Sequence, residues 1–179
     1  MRINRAVTLL AVISMFWAVG AVSQDKPDIP EQLQFSAEDE TAKHPISIPE
    51  DAWSTLKKDA GVLEVLSNRS LPVDQLPASW FTASEVHLNG SNESDLVVVG
   101  KGPLQGANVT TFWVFLRRPQ GLKLVLSAPG HDLIIKPTRR NGYKTIEIAS
   151  ATAVRLSKVT FRFDGNQYRA DERSARKPQ

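Results

Sequence analysis

Hydrophobic residues recur along this chain at two different periods. Trp53, Leu56, Ala60 and Leu63 fall three and four apart, which is one face of a helix. Lys57, Lys58, Asp59 and Glu64 lie off that stripe. Pro49 suits a first helical position, and Glu50 and Asp51 oppose the positive end of the helix dipole. The spacing predicts one amphipathic helix over residues 49–66, weakened but not ended by Gly61. Trp53, and Trp80-Phe81 beyond it, read as core packing.

After Trp80 the period changes to two. Glu85-Val86-His87-Leu88 reads as a short strand, and Leu96-Val97-Val98-Val99 as one buried on both faces. In TTFWVFLR, residues 110–117, Phe112, Val114 and Leu116 point one way while Trp113 and Phe115 point the other. Large apolar side chains on both sides predict a central strand. Leu122, Leu124 and Leu126 alternate next, followed by Leu133-Ile134-Ile135, then Ile146 and Ile148. Val159, Phe161 and Phe163 close the series. Pro119-Gln120-Gly121, Pro129-Gly130 and Asp164-Gly165-Asn166 mark turns, and Asn141-Gly142 is the strongest hairpin signal.

Strands this close, with no helical pattern between them, predict an antiparallel meander of about six or seven strands. With the helix packed on one face, the expected fold class is α+β. Residues 47–169 form the expected single domain and 170–179 a charged tail. Residues 24–46, rich in Asp, Glu, Gln, Pro and Lys, read as an extended or disordered lead-in.

The first 23 residues read as a secretory signal. Met1-Arg2-Ile3-Asn4-Arg5 is basic, Ala6 to Val19 is apolar, and Gly20-Ala21-Val22-Ser23 is small. The apolar run is short for a membrane span, which takes roughly 20 residues. The expected location is therefore periplasmic or secreted, with no transmembrane segment once the signal is removed. There is no cysteine, so neither disulfides nor a lipid-modified cysteine hold the mature chain.

Formal charge is +3, but it is unevenly divided. Residues 24–95 hold 5 Lys/Arg against 14 Asp/Glu, and residues 96–179 hold 15 against 5. Net charges of −9 and +10 imply either self-complementarity or an anionic partner for the second half. Lys123, Lys158 and Arg162 alternate with apolar strand positions, so they are expected to share a basic sheet face. Export counts against nucleic acid, and the aromatics alternate inward. A protein or an anionic envelope polymer is the expected partner.

The stretch VHLNGSNESDLVVVG, residues 86–100, places His87, Asn89, Ser91, Glu93 and Asp95 at alternate positions. Oxygen ligands at alternate positions are what a calcium loop requires. The register resembles the Asp/Asn-rich loop-to-strand element of FG-GAP and VCBS-type bacterial extracellular repeats, where aspartates fill most of these positions. His87 and Ser91 depart from that pattern, and a neutral imidazole is a poor ligand for a hard cation. The stretch reads as a degenerate form of the loop, closed by an Asn89-Gly90 turn. Structural calcium at Asn89, Glu93 and Asp95 stays as an alternative. From about Trp80 to Arg169 the chain resembles uncharacterised bacterial secreted proteins with the same loop, a Trp-containing strand and a closing Phe-Asp-Gly-Tyr strand. That resemblance implies an exported, non-repeating domain and carries no catalytic residue across. It also makes the N-x-S/T sequons at Asn68, Asn89, Asn92 and Asn108 coincidental.

Little else in the sequence points to chemistry. His44, His87 and His131 are too scattered for a zinc pattern. Ser127, His131 and Asp132 are neighbours in sequence, but no G-x-S-x-G elbow frames them. Asp132, Glu147 and Asp164 are the acids available in the strand-rich half before the tail. The expected function is thus a non-enzymatic exported binding domain. An envelope-acting hydrolase, with two carboxylates or a carboxylate and His131 in one pocket, is the alternative beside calcium.

Overall fold

The structure is a computed structural model that describes residues 31–152 and 155–171. The signal expected over residues 1–23 lies outside the described residues, as does the tail beyond Asp171. The chain is a sheet-rich α+β protein with antiparallel pairing throughout. Its strands are β1 (Gln34–Ser36), β2 (Phe81–Val86), β3 (Asp95–Gly100), β4 (Thr110–Arg118) and β5 (Gly121–Gly130). They continue with β6 (Asp132–Arg140), β7 (Tyr143–Thr152), β8 (Arg155–Phe163) and β9 (Tyr168–Ala170). They form two sheets rather than one: a four-stranded sheet in the order β2-β3-β4-β5 and a five-stranded sheet in the order β1-β6-β7-β8-β9.

The four-stranded sheet is the middle layer. Phe112, Val114 and Leu116 of β4 join Leu133, Ile135, Ile146 and Ile148 in a core between the sheets. Trp113 and Phe115 point to the opposite side and pack with Ala52, Leu56, Val62 and Leu66. β4 is therefore large and apolar on both faces because both of its faces are covered. Between Val114 and Phe115 the register shifts from Leu126 to Leu124. The extra residue, Val125, lets β5 place both Val125 and Leu126 in the core between the sheets.

The apolar stripe over residues 49–66 forms two helices, α1 (Glu50–Leu56) and α2 (Ala60–Asn68). Asp59 separates them. Its backbone is extended (φ −66°, ψ 132°), and its Oδ1 accepts from the amides of Gly61 and Val62. This N-cap satisfies amides that the first turn of α2 would otherwise leave open.

The segment expected as a lead-in carries structure from Glu31 onward. β1 pairs with β6, and Phe35 enters the core between the sheets at 1% exposure. The Lys101 ammonium holds the carbonyls of Ala37 and Asp39. Farther on, the Ile46 amide donates to the Ala83 carbonyl at 3.0 Å, against the edge of β2. One polar segment thus ties the edge of one sheet to the edge of the other.

The chain passes between sheets at Gly130-His131. The His131 amide donates to the Ala149 carbonyl at 2.7 Å. A Cβ on Gly130 would stand 2.3 Å from Cγ2 of Ile148, so only glycine lets the backbone approach β7 this closely. The β6–β7 turn is the Asn141-Gly142 pair, with φ of 50° and 83°, the left-handed conformations of a tight hairpin.

Candidate anion-binding groove

The outer face of the five-stranded sheet is banded in charge. Alternation sends Ile146, Ile148 and Phe163 into the core and leaves Thr145, Glu147, Thr160 and Arg162 on the other side. Lys136 on β6 stands opposite Thr145. Arg162 on β8 follows Phe161, the partner of Ile146, and is itself opposite Arg169 on β9. Lys136, Arg162 and Arg169 therefore form a row running across the strands. Arg139 and Arg140 extend it at the hairpin end. The next row is Ile134, Glu147 and Thr160, and the one after it is Asp132, Ala149 and Lys158.

Two grooves open along the basic row. One, of about 420 Å³, is lined by Lys136, Arg139, Arg140, Glu147 and Arg162, with Thr138, Thr145 and Thr160 between them. The other, of about 430 Å³, is lined by Arg140, Arg162, Arg169, Asp164 and Asp171. Arg140 and Arg162 line both, so the grooves adjoin there.

Acids are threaded through the row. Glu147 sits 3.4 Å from the Lys136 ammonium and 3.5 Å from that of Lys158, while its buried Oε1 has no hydrogen-bond partner among the described residues. Arg162 is 3.0 Å from Asp171. Asp164 Oδ1 accepts from the amides of Asn166 and Gln167, and Oδ2 accepts from Arg169 Nε at 2.5 Å. The Gln167 and Asn166 amides, with Arg169 behind them, hold the Asp164 carboxyl at about 2. Arg139 donates to the Gly142 carbonyl at 2.9 Å. Arg140 is exposed and takes no partner among the described residues.

Of the three basic residues expected to share a face, Arg162 and Lys158 do and Lys123 does not. Arg162 lines both grooves. Lys158 is on the same sheet face but lies beyond the Glu147 row. Lys123 belongs to β5 of the four-stranded sheet and bonds Asn166 in the β8–β9 turn. Lys136, Arg139, Arg140 and Arg169 were not singled out from the sequence. The alternation of Lys136 with the buried Ile135 was a readable signal. The grouping of Arg169 with Arg162 was not, because it depends on the β8–β9 register.

The other sequence candidates have different settings. Asp95 is 1% exposed, and its two oxygens accept from the amides of Leu88 (3.0 Å) and Arg117 (2.9 Å). Burial raises its pKa, opposed by those two amides and by Arg118. Asn89 Oδ1 accepts from the amide and hydroxyl of Ser91, at 2.9 and 2.6 Å, and the loop from His87 to Ser94 is longer than a two-residue Asn-Gly turn. Glu93 is exposed. Among the described residues no three His, Cys, Asp or Glu side chains gather as a metal-holding group.

His131 has a carboxylate at each ring nitrogen: Asp132 at 3.2 Å from Nδ1 and Glu38 at 3.3 Å from Nε2. Its pKa is raised, first by the hydrogen bond to Asp132 and then by Glu38, against the effect of burial. A ring engaged on both sides has no nitrogen left to activate a nucleophile. Asp132, Glu147 and Asp164 each face a different basic residue, namely His131, the Lys136/Lys158 pair and Arg169.

No family model, curated protein or solved structure matches this chain. Among the described residues no helix is long and apolar enough to cross a membrane.

Proposed function

We propose that this chain is an exported, non-catalytic domain that holds an anionic partner, a protein or an envelope polymer, across the hairpin end of its five-stranded sheet. The observation that carries this reading is the pair of grooves that share Arg140 and Arg162. Clustered cations beside a sheet of low polarisability raise the local concentration of an anion. The basic start and apolar run of the first 23 residues support export, as does the likeness of residues 86–100 to loops of bacterial extracellular repeats. Arg140, exposed and without a partner among the described residues, is the cation most available to a ligand.

Binding of the full chain to immobilised anionic polymers at several salt concentrations tests this. Affinity should fall steeply as salt rises. Arg140→Glu with Arg162→Glu should abolish binding, whereas Lys123→Glu should leave it nearly intact. Binding that survives the double charge reversal would overturn the proposal.

A further inference from the structure

We infer that the partner is a protein, and that it docks an extended acidic segment as an added strand on the outer edge of β9. This rests on the basic row being the binding face and adds the class of partner and its mode of pairing. Two sheets have four edges, and the chain itself closes three of them. On β1, Gln32 Nε2 donates to the Gln34 carbonyl and the Ser36 amide donates to Asp39 Oδ2, both at 2.9 Å. On β2, the Ile46 amide donates to the Ala83 carbonyl. On β5, the Leu122 amide donates to Asp51 Oδ2 at 2.6 Å.

The β9 edge differs. The Asp164 amide donates to the Gln167 carbonyl at 3.0 Å, and the Asp171 amide to the Thr160 carbonyl at 2.7 Å. Gln167, Arg169 and Asp171 are two residues apart, so all three turn their backbone toward β8. Tyr168 and Ala170 therefore turn N–H and C=O away from it. Among the described residues no strand pairs with that side and no side chain caps it. Lys123 of β5 reaches the β8–β9 turn, but β5 and β9 share no ladder. Such an edge is a template for an extended chain.

The charges select what would pair there. Arg162 and Arg169 are a cross-strand pair, and with Arg140 and Ala170 they line the second groove. Their side chains are 46% and 68% exposed. Asp171 and Asp164 engage them, but a guanidinium carries five N–H donors, so donors remain on both. In the antiparallel pairing used throughout this protein, the added residue opposite Arg169 sends its side chain to the same face, about 5 Å away. An Asp or Glu at that position meets the arginine pair. A second copy paired edge to edge would bring one Arg169 toward the other. The chain's own residues 172–179 hold three cations and one acid, so charge does not favour them either. A phosphate polymer has no N–H to offer the edge carbonyls.

The test is calorimetric titration of the full chain with polyphosphate and with an end-blocked hexapeptide alternating Thr and Glu. Antiparallel pairing turns the Thr amides toward β9 and the Glu amides away. N-methylation of the Thr residues should weaken peptide binding at least tenfold, and N-methylation of the Glu residues should leave it nearly unchanged. Ala170→Pro removes one edge N–H without touching the β8 ladder. It should weaken the peptide but not polyphosphate, with thermal melting confirming the fold. Arg140→Glu with Arg162→Glu should remove both ligands. If the Thr-methylated and parent peptides bind alike and the double reversal removes both, edge pairing is overturned and the basic face stands. Peptide binding seen only after deletion of residues 172–179, or a dimer that Ala170→Pro dissolves, would assign the edge to the tail or to a second copy and also overturn the proposal. If neither peptide nor polyphosphate binds, both readings fall.

Discussion

Asp59 and Trp113 are 54 residues apart, yet the indole Nε1 donates to Asp59 Oδ2 at 2.8 Å. The other oxygen of the same carboxylate caps α2. One side chain thus ends the first helical segment, starts the second and satisfies the polar atom of a tryptophan that is 1% exposed. Asp59→Ala removes the cap, worth about 1 kcal/mol. It also leaves a buried N–H unpaired, at about 1–3 kcal/mol. Urea unfolding should show a loss of about 2–4 kcal/mol. Asp59→Asn, which keeps an oxygen acceptor, should lose clearly less.

Asp95 ties the base of the 87–94 loop to the end of β4 through two amides. Asp95→Ala leaves both amides without an acceptor, at about 1–3 kcal/mol each. Because both carboxylate oxygens are already in use, millimolar calcium should leave the melting temperature unchanged. A calcium-dependent rise would show that Asn89, Glu93 and Asp95 do assemble around the ion.

His131 gives the protein a pH dependence of defined sign. Its pKa is raised in the folded state, so the stabilisation it supplies is complete below the unfolded value of about 6.5. That contribution is lost as pH rises through the higher folded value. Melting temperatures of the protein and of His131→Gln should differ most in mildly acidic buffer and converge in alkaline buffer. A gap that widened with pH would contradict the carboxylate contacts of Asp132 and Glu38.

Gly130 is where the backbone comes closest to β7. Gly130→Ala places a methyl group against Ile148 and should cost about 1–3 kcal/mol through overpacking. Trimming the neighbour in Gly130→Ala with Ile148→Ala should cost less than the sum of the two single changes. Chemical denaturation of the four variants measures that coupling.

The strands were readable where alternation is strong. TTFWVFLR announced a strand with two buried faces, and Asn141-Gly142 announced its hairpin, because both signals are local. The break in the helix was not readable. It comes from Asp59 accepting from two amides of the next turn and from an indole 54 residues away. β1 was missed for a similar reason. Three residues with one aromatic carry no period, and their order derives from pairing with β6 and from Lys101 reaching the carbonyls of Ala37 and Asp39 just beyond them.

For the groove, residue order established that the second half of the chain is rich in cations and that they alternate with core positions. Local chemistry of that kind survives in any fold. Which cations stand together was settled by strand register and sheet membership. A shift of one residue between β8 and β9 would separate Arg162 from Arg169, and a second sheet carries Lys123 away from both. Those distances follow from contacts between segments far apart in the chain, which no single stretch of residues encodes.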